Sequence, residues 1–209
     1  MRDTAPELVI FDCDGTLVDT EVLVKAVLSE ALSELGVQVA PKVLIERFRG
    51  GKMRDFIGYT ETKLGRSLPE SFETMLRVRI AQRISTDLQP CQGAHELLSH
   101  IEQKVCVASN APLTHIRHCL TQTGLEHFFG DQLFSAYICR AWKPDPAVFL
   151  AASDALGISP EKCVVIEDSL TGVSAAQAAG MPVWVVGDGI EENGDIPQFP
   201  TLDLLREHL

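Results

Sequence analysis

The hydrophobic pattern of the chain begins with an unbroken apolar run, Leu8 to Phe11, which stops at two carboxylates, Asp12 and Asp14. A continuous apolar run that ends in polar residues is typical of a strand buried on both faces of a parallel sheet. Residues two apart in an extended chain point to the same side, about 6.5–7 Å from each other. The pattern therefore predicts a buried first strand that presents both carboxylates at its carboxyl end, where they could flank one small ligand.

The two residues that follow fit a binding loop. Gly15 allows a turn that a side chain would obstruct, and Thr16 offers a hydroxyl and an N–H group to a bound anion. An acidic pair in a solvated turn is the simplest alternative, but it does not explain the apolar strand that leads into the pair. A calcium loop is excluded by spacing, because the twelfth position counted from Asp12 is Leu23, where a bidentate glutamate is required.

Residues 20–86 show only helical periodicity. Apolar residues at three- and four-residue spacing predict helices over residues 21–35, 41–48, 53–64 and 71–85. Gly36, the Gly50-Gly51 pair and Gly65 separate these segments. The segment is therefore predicted to be a helical insertion after the first strand.

Beyond Pro90 the pattern changes to short apolar runs that alternate with helices. Strands are predicted over residues 105–108, 133–137, 163–166 and 183–186, and helices from Pro112, from Pro146 and near 174–179. Such alternation is typical of a parallel sheet with helices on both faces. We predict an α/β fold: a doubly wound, Rossmann-like core of residues 1–19 and 87–209, and an all-α cap of residues 20–86. A loop is predicted over residues 187–200, followed by a small closing helix.

Composition narrows the class of protein. The 209 residues are 45% apolar and carry a net charge of −11, which allows a sizeable core and argues against binding to nucleic acid or an anionic membrane. No apolar run approaches the ~18 residues of a membrane span, and the N-terminus lacks a secretory signal pattern. The six cysteines form no C-x-x-C pair. We therefore expect reduced thiols in a cytoplasmic protein rather than a zinc site.

Three further strand ends carry polar groups. The second predicted strand runs into Ser109-Asn110, the third leads to Lys143, and the fourth ends at Glu167-Asp168. Ser109-Asn110 could simply cap the helix that begins at Pro112, a role compatible with phosphate binding because helix N-termini bind anions. In open α/β sheets, ligands bind beyond the carboxyl ends of the strands. We therefore expect these groups to converge with the first acidic pair.

The four converging carboxylates would repel one another unless a cation lay among them. An all-oxygen ligand set suits Mg²⁺. Lys143 and the Ser109 hydroxyl would then have an anionic partner, for which a phosphoryl group is the natural candidate.

The ordered motifs resemble those of the haloacid dehalogenase-like superfamily over nearly the whole chain. The four motifs read, in order, Asp12-Cys13-Asp14-Gly15-Thr16, Ser109-Asn110, Lys143-Pro144-Asp145-Pro146 and Glu167-Asp168-Ser169. The helical insertion resembles the small cap of the β-phosphoglucomutase-like subgroup. The residues in and around the first and third motifs are similar to those of 6-phosphogluconate phosphatase-type members.

The resemblance implies a Mg²⁺-dependent phosphatase with an aspartyl-phosphate intermediate. Asp12 would be the nucleophile, and Asp14, kept protonated by anionic surroundings, would be the general acid and then the base. Mg²⁺ would be held by Asp12, Asp168 and the backbone carbonyl of Asp14, with Glu167 bonded directly or through water. The phosphoryl oxygens would be bound by Thr16, Ser109, Asn110 and Lys143, with N–H groups of the first loop.

The cap contains a cluster of cations beside a glycine pair. Its members are Arg47, Arg49, Lys52 and Arg54, next to Gly50-Gly51. They could form a solvated helix end, or a loop that recognises an anionic substrate, for which Arg49, Gly50, Lys52 and Arg54 are the candidates. We expect a small phosphorylated metabolite, either a sugar phosphate or a phosphorylated sugar acid, and a monomer or weak dimer. His115 and His118 stand three residues apart and are expected to be surface residues, because no third metal ligand is expected nearby.

Three rival functions remain open. Dehalogenase chemistry uses an Asp nucleophile without a metal, which leaves Asp14 and Glu167-Asp168 unexplained. A sugar phosphomutase shares the core motifs, but mutases of this group tend to carry a histidine shortly after the first motif, and Thr20 to Lys25 contains none. A non-catalytic Mg²⁺-binding interaction module would not need every catalytic position to be present. Hydrolysis is therefore the preferred interpretation.

Overall fold

The computed structural model describes residues 5–39, 44, 53–187 and 195–209. They belong to two compact units, one made of Met1–Asp19 and Gln89–Leu209 and the other of Thr20–Leu88. Most of the predicted helix over residues 41–48 lies outside the described residues, as do Arg47, Arg49, Gly50 and Lys52 of the cationic cluster.

The smaller unit is helical throughout its described residues. Its helices are α1 (Thr20–Glu34), α2 (Met53–Leu64) and α3 (Ser71–Asp87). Leu28 and Leu32 of α1 share an apolar core with Phe56 and Leu76. Exposed ion pairs join α3 to α1, with Arg79 2.8 Å from Glu34 and Arg83 2.6 Å from Glu30. Because such exposed ion pairs contribute little to stability, it is mainly the apolar core that holds these helices together.

The larger unit contains a parallel sheet of six strands within its described residues, in the order β3-β2-β1-β4-β5-β6. The strands are β1 (Leu8–Phe11), β2 (Lys104–Ser109), β3 (Leu133–Ser135), β4 (Cys163–Glu167), β5 (Val183–Val186) and β6 (Gln198–Phe199). This order is that of a doubly wound Rossmann-like sheet, so the predicted fold class is confirmed.

Helices connect the strands of this sheet. They are α4 (Ala94–His100), α5 (Leu113–Gln122), α6 (Glu126–Phe129), α7 (Ala136–Cys139), α8 (Ala147–Leu156) and α9 (Leu170–Ala178), with 3₁₀ helices at Pro160–Lys162 and Leu202–His208. Among the described residues, no helix combines the length and apolarity needed to cross a bilayer.

The central strand β1 is completely buried, as its apolar run predicts. All four of its residues are 0% exposed. Leu8 and Ile10 belong to the core cluster on one face of the sheet, and Phe11 packs edge-on against Phe129 with 6.1 Å between ring centroids. Burial on both faces fixes the end of β1 rigidly, which matters for the side chains that follow it.

Some predictions for individual elements were wrong. The strand expected over residues 133–137 ends at Ser135, because the Ser135 hydroxyl accepts a hydrogen bond from the Tyr137 N–H at 3.2 Å and starts helix α7. The loop expected over residues 187–200 contains β6, which pairs in parallel with β5. The helix expected near 174–179 begins earlier, at Leu170, where Ser169 is its N-cap.

Candidate active site

The sheet order reverses at β1, which lies between β2 and β4. Crevices at such switch points, beyond the carboxyl ends of the strands, are where open α/β sheets bind ligands. Asp12 directly follows β1, and its backbone N–H donates to the Ile166 carbonyl of β4 at 2.9 Å. Ser109 is the last residue of β2 and Glu167 the last residue of β4. The fold therefore brings the predicted strand ends to one edge.

A buried lysine joins the first and fourth motifs. The Lys143 Nζ atom lies 2.5 Å from Asp12 Oδ1 and 2.7 Å from Glu167 Oε1, and it stands 4.7 Å from the centre of the Phe149 ring. The Lys143 and Glu167 side chains are 2% and 1% exposed. An ammonium shared by two carboxylates this deep in the protein is a strong electrostatic link, because little water screens it.

Burial sets the charge state of this cluster. Desolvation raises the pKa of Asp12 to about 7, with Glu167 adding to the rise and the Lys143 ammonium opposing it. Burial alone would lower the pKa of Lys143, but the Asp12 and Glu167 carboxylates outweigh it and the pKa is raised. Lys143 is therefore a permanent cation, and Asp12 needs positive charge beyond that of Lys143 to be fully ionised at neutral pH.

The backbone that begins α9 holds Glu167. Its Oε2 atom accepts hydrogen bonds from the N–H groups of Asp168 and Ser169, both at 3.0 Å, and from the Ser169 hydroxyl at 2.8 Å. A Cβ atom at Gly172 would lie 1.8 Å from Glu167 Oε1. Sequence analysis assigned no role to Gly172, although a glycine within a helix often marks a close approach. Only glycine leaves room for the carboxylate there.

In the first loop, Gly15 lies nearly as close to the Asp168 carboxylate as Gly172 does to that of Glu167. A Cβ atom at Gly15 would lie 2.2 Å from Asp168 Oδ2, and Gly15 has a φ of +88°, which favours glycine. The buried Thr16 hydroxyl donates to Asp168 Oδ1 at 3.4 Å. Thr16, which we expected at the phosphate, thus has its hydroxyl turned to a carboxylate. The Gly15 N–H, one of the expected loop donors, bonds to the Val18 carbonyl.

Three carboxylates fit a divalent cation. One oxygen each from Asp12, Glu167 and Asp168 lies within 4.8 Å of the others. Carboxylate oxygens are the donors that hard cations such as Mg²⁺ prefer. The Asp14 side chain is not part of this group, and its predicted contribution is through the backbone carbonyl.

The second motif has two distinct local roles. Ser109 is 2% exposed, and its hydroxyl accepts a hydrogen bond from the Ala111 N–H at 3.1 Å. The alternative that Ser109-Asn110 simply caps the next helix is wrong, because the N-cap of α5 is Pro112 and no side chain caps that end. Asn110 Oδ1 instead accepts from the Lys143 N–H at 2.8 Å, so Asn110 positions the lysine loop.

His115 is not the surface residue that we expected, and the expected lack of nearby ligand atoms was also wrong, because atoms of Asp14 and Cys119 lie within 4.8 Å of it. Its Nε2 atom lies 2.9 Å from Asp14 Oδ1, and each side chain is about one-third exposed, at 31% and 32%. The hydrogen bond with Asp14 is the main reason that the pKa of His115 is raised to about 10. One weak feature could have indicated that His115 lies near the site: it belongs to the first turn of the helix that follows the second motif. Asp14 therefore has a cationic neighbour, so the expectation of purely anionic surroundings for this carboxyl group was wrong.

Of the four cap candidates, only Arg54 is described. It lies in α2, with a side chain 75% exposed and 3.7 Å from Asp55. Arg49, Gly50 and Lys52 fall outside the described residues, so the substrate role of this cluster stays a prediction.

Comparison with known proteins gives the relationships of the chain. Residues 6–180 match the model of the family described as haloacid dehalogenase-like hydrolase. The 6-phosphogluconate phosphatase of Escherichia coli K12 is 35% identical over 179 residues, which cover 85% of this chain and 81% of the relative. A phosphorylated carbohydrates phosphatase of Thermotoga maritima is 30% identical over 179 residues, covering 84% of this chain and 82% of the relative.

A solved structure agrees with these relatives. A conserved haloacid dehalogenase-like protein of unknown function from Agrobacterium tumefaciens superposes with a TM-score of 0.88 and 28% identity, covering 98% of this chain and 97% of the other. The match extends along the whole fold, and the motifs that carry the resemblance converge at the switch point of the sheet. The chain therefore belongs to the haloacid dehalogenase-like hydrolase family and is a phosphoric monoester hydrolase.

Proposed function

We propose that the protein is a Mg²⁺-dependent phosphatase that hydrolyses small phosphorylated sugars or sugar acids through an aspartyl-phosphate at Asp12. The observation that carries this proposal is the position of Asp12. Its carboxylate lies at the carboxyl end of the central strand, 2.5 Å from Lys143, in a group with Glu167 and Asp168. A carboxylate needs no base to become a nucleophile, but it must approach an anionic phosphoryl group, so positive charge beside it is the main requirement.

Mg²⁺ bound by Asp12, Asp168 and the Asp14 carbonyl, with Glu167 in support, would supply most of that charge and polarise a phosphoryl oxygen. Lys143 would add a permanent cation next to the nucleophile. Lysine is a common binder of phosphoryl groups as a point charge, and Ser109 offers a hydroxyl at the neighbouring strand end.

In the first step an Asp12 oxygen forms a bond to phosphorus while the bond from phosphorus to the sugar oxygen breaks. The leaving oxygen takes a proton from Asp14. In the second step water attacks the phosphorus of the aspartyl-phosphate, gives a proton to Asp14 and releases phosphate, which regenerates Asp12. Acid–base help of this kind contributes about 10²–10⁴-fold to the rate.

The substrate class rests on the relatives and on charge. Two relatives that align over most of their length are named for 6-phosphogluconate and for phosphorylated carbohydrates. The cationic cluster beside Gly50-Gly51 stands out in a chain of net charge −11 and would favour a substrate with a second negative group, as a phosphorylated sugar acid has.

A panel of sugar phosphates and phosphorylated sugar acids tests the proposal. Wild-type protein with Mg²⁺ should release inorganic phosphate, and Asp12→Asn should abolish release while its circular dichroism stays unchanged. Asp154→Asn, at an exposed position of α8, is the matched control and should keep full activity. Isomerised sugar phosphate without phosphate release would indicate a mutase. Phosphate release by Asp12→Asn close to the wild-type rate would refute the nucleophile.

A further inference from the structure

One histidine contacts a proposed catalytic group, although neither the family motifs nor our sequence analysis gave it a role. His115 Nε2 lies 2.9 Å from Asp14 Oδ1. His115 belongs to the first turn of α5, a helix anchored by the fully buried Ile116. Because both the helix and the end of β1 are packed against the core, the contact joins two rigid elements rather than two mobile surface side chains.

The geometry excludes a proton relay in the manner of a Cys-His-Asp triad. Cys119 Sγ lies 3.5 Å from His115 Nε2, the same ring nitrogen that contacts Asp14. A triad requires the nucleophile and the carboxylate to bind opposite nitrogens of the ring. Cys119 is also completely buried, so it cannot meet a substrate directly. Its sulfur instead lies within hydrogen-bond distance of Nε2 and helps to fix the orientation of the ring.

We propose that His115 is a positioning residue for Asp14, an inference that rests on the proposed function. The hydrogen bond between His115 Nε2 and Asp14 Oδ1 fixes the rotation of the Asp14 carboxyl group. The second oxygen, Oδ2, is then the one that gives a proton to the leaving group and takes one from water. A carboxyl group held in one orientation loses less entropy on reaching the transition state than one that rotates freely.

Steady-state kinetics separate positioning from substrate binding. His115→Ala should lower kcat about 10- to 100-fold, as loss of a supporting hydrogen bond to an active-site group does, and should leave KM nearly unchanged. His115→Gln, whose amide nitrogen can take the place of Nε2, should recover much of the lost rate. His118→Ala, on the same helix, should behave like wild type. Circular dichroism and thermal unfolding of each variant show whether it is folded.

A double-mutant cycle with Asp14→Ala tests whether His115 acts through Asp14. Both variants should be compared alone and combined, using single-turnover rates of phosphate release. His115→Ala should cost no further rate once Asp14 is removed. Equal losses in the presence and absence of Asp14, or a His115→Ala variant with an unchanged kcat, would overturn the inference.

The same cycle distinguishes two kinds of failure. If Asp14→Ala alone has no effect on turnover, the acid–base part of the proposed function is wrong. If Asp14→Ala is slow while folded His115→Ala is normal, only the positioning role of His115 is wrong.

Discussion

Replacement of Lys143 by methionine should destabilise the larger unit strongly in the absence of divalent cations. The substitution keeps the length of the side chain but removes the ammonium shared by Asp12 and Glu167, at 2.5 and 2.7 Å. Both carboxylates would stay buried, at 11% and 1% side-chain exposure, without their cation. Breaking a buried ion pair by removal of one partner costs about 3–5 kcal/mol. For a chain of this size that loss corresponds to a fall in Tm of ~6–20 °C.

Tryptophan fluorescence in urea, with EDTA present, measures this loss. Both tryptophans of the chain, Trp142 and Trp184, belong to the larger unit, so the signal follows its unfolding. Lys162→Met is the matched control. Lys162 Nζ lies 2.6 Å from Glu7 Oε1, but both side chains are more than half exposed, at 55% and 54%. Since solvent screens that pair, its loss should leave the transition almost unchanged.

The cost should depend on pH with a definite sign. The pKa of Asp12 is raised to about 7 by burial even with Lys143 present, so a buried Asp12 prefers the neutral form. A raised acid pKa costs the folded state stability as the pH rises from the unfolded-state pKa to the folded-state pKa, and the cost then levels off. Because Lys143 lowers the pKa of Asp12, its removal raises that pKa further, so the variant keeps losing stability at pH values where the wild type has levelled off. Lys143→Met should therefore be more destabilising at about pH 8 than at about pH 5.5. Equal losses for Lys143→Met and Lys162→Met at both pH values would refute the electrostatic reasoning.

Two further predictions concern packing and thiols. Gly172→Ala should lower the Tm, because the new methyl group would lie 1.8 Å from Glu167 Oε1, and overpacking costs about 1–3 kcal/mol; Gly58→Ala, in a helix with open space at its Cβ position, should raise it slightly. In the native protein a thiol reagent should react readily with at most Cys91 and Cys139, since the other four cysteines are buried, and all six should react in denaturant. Rapid modification of more than two native thiols would contradict the packing.

Much of the fold followed from local pattern. The bounds of β1 and α2 were predicted to the residue, because a buried strand and a glycine-bounded helix both leave clear periodicity. β6 could not be predicted, since its two residues are a strand only through backbone pairing with β5. The end of β3 was missed because the Ser135 hydroxyl, rather than any change in hydrophobicity, starts the next helix.

In the candidate site, too, some contacts could be predicted from the sequence and others could not. Strand ends can be placed at one edge of a sheet from sequence alone, and the structure brings Asp12, Lys143 and Glu167 together there. The partner of Asp14 could not be foreseen, because it depends on the rotation of α5 against the end of β1. The role of Asn110 was likewise hidden, since it bonds to the backbone of a residue 33 positions away.

The most direct test of the central claim is mass spectrometry of acid-quenched Asp14→Ala protein after mixing with Mg²⁺ and a sugar phosphate that the wild type hydrolyses. With the proton-transferring group removed, we expect the aspartyl-phosphate to break down slowly and one phosphoryl group to be found on Asp12. Phosphate release with no label on Asp12, or with the label on another residue, would contradict nucleophilic attack by that carboxylate.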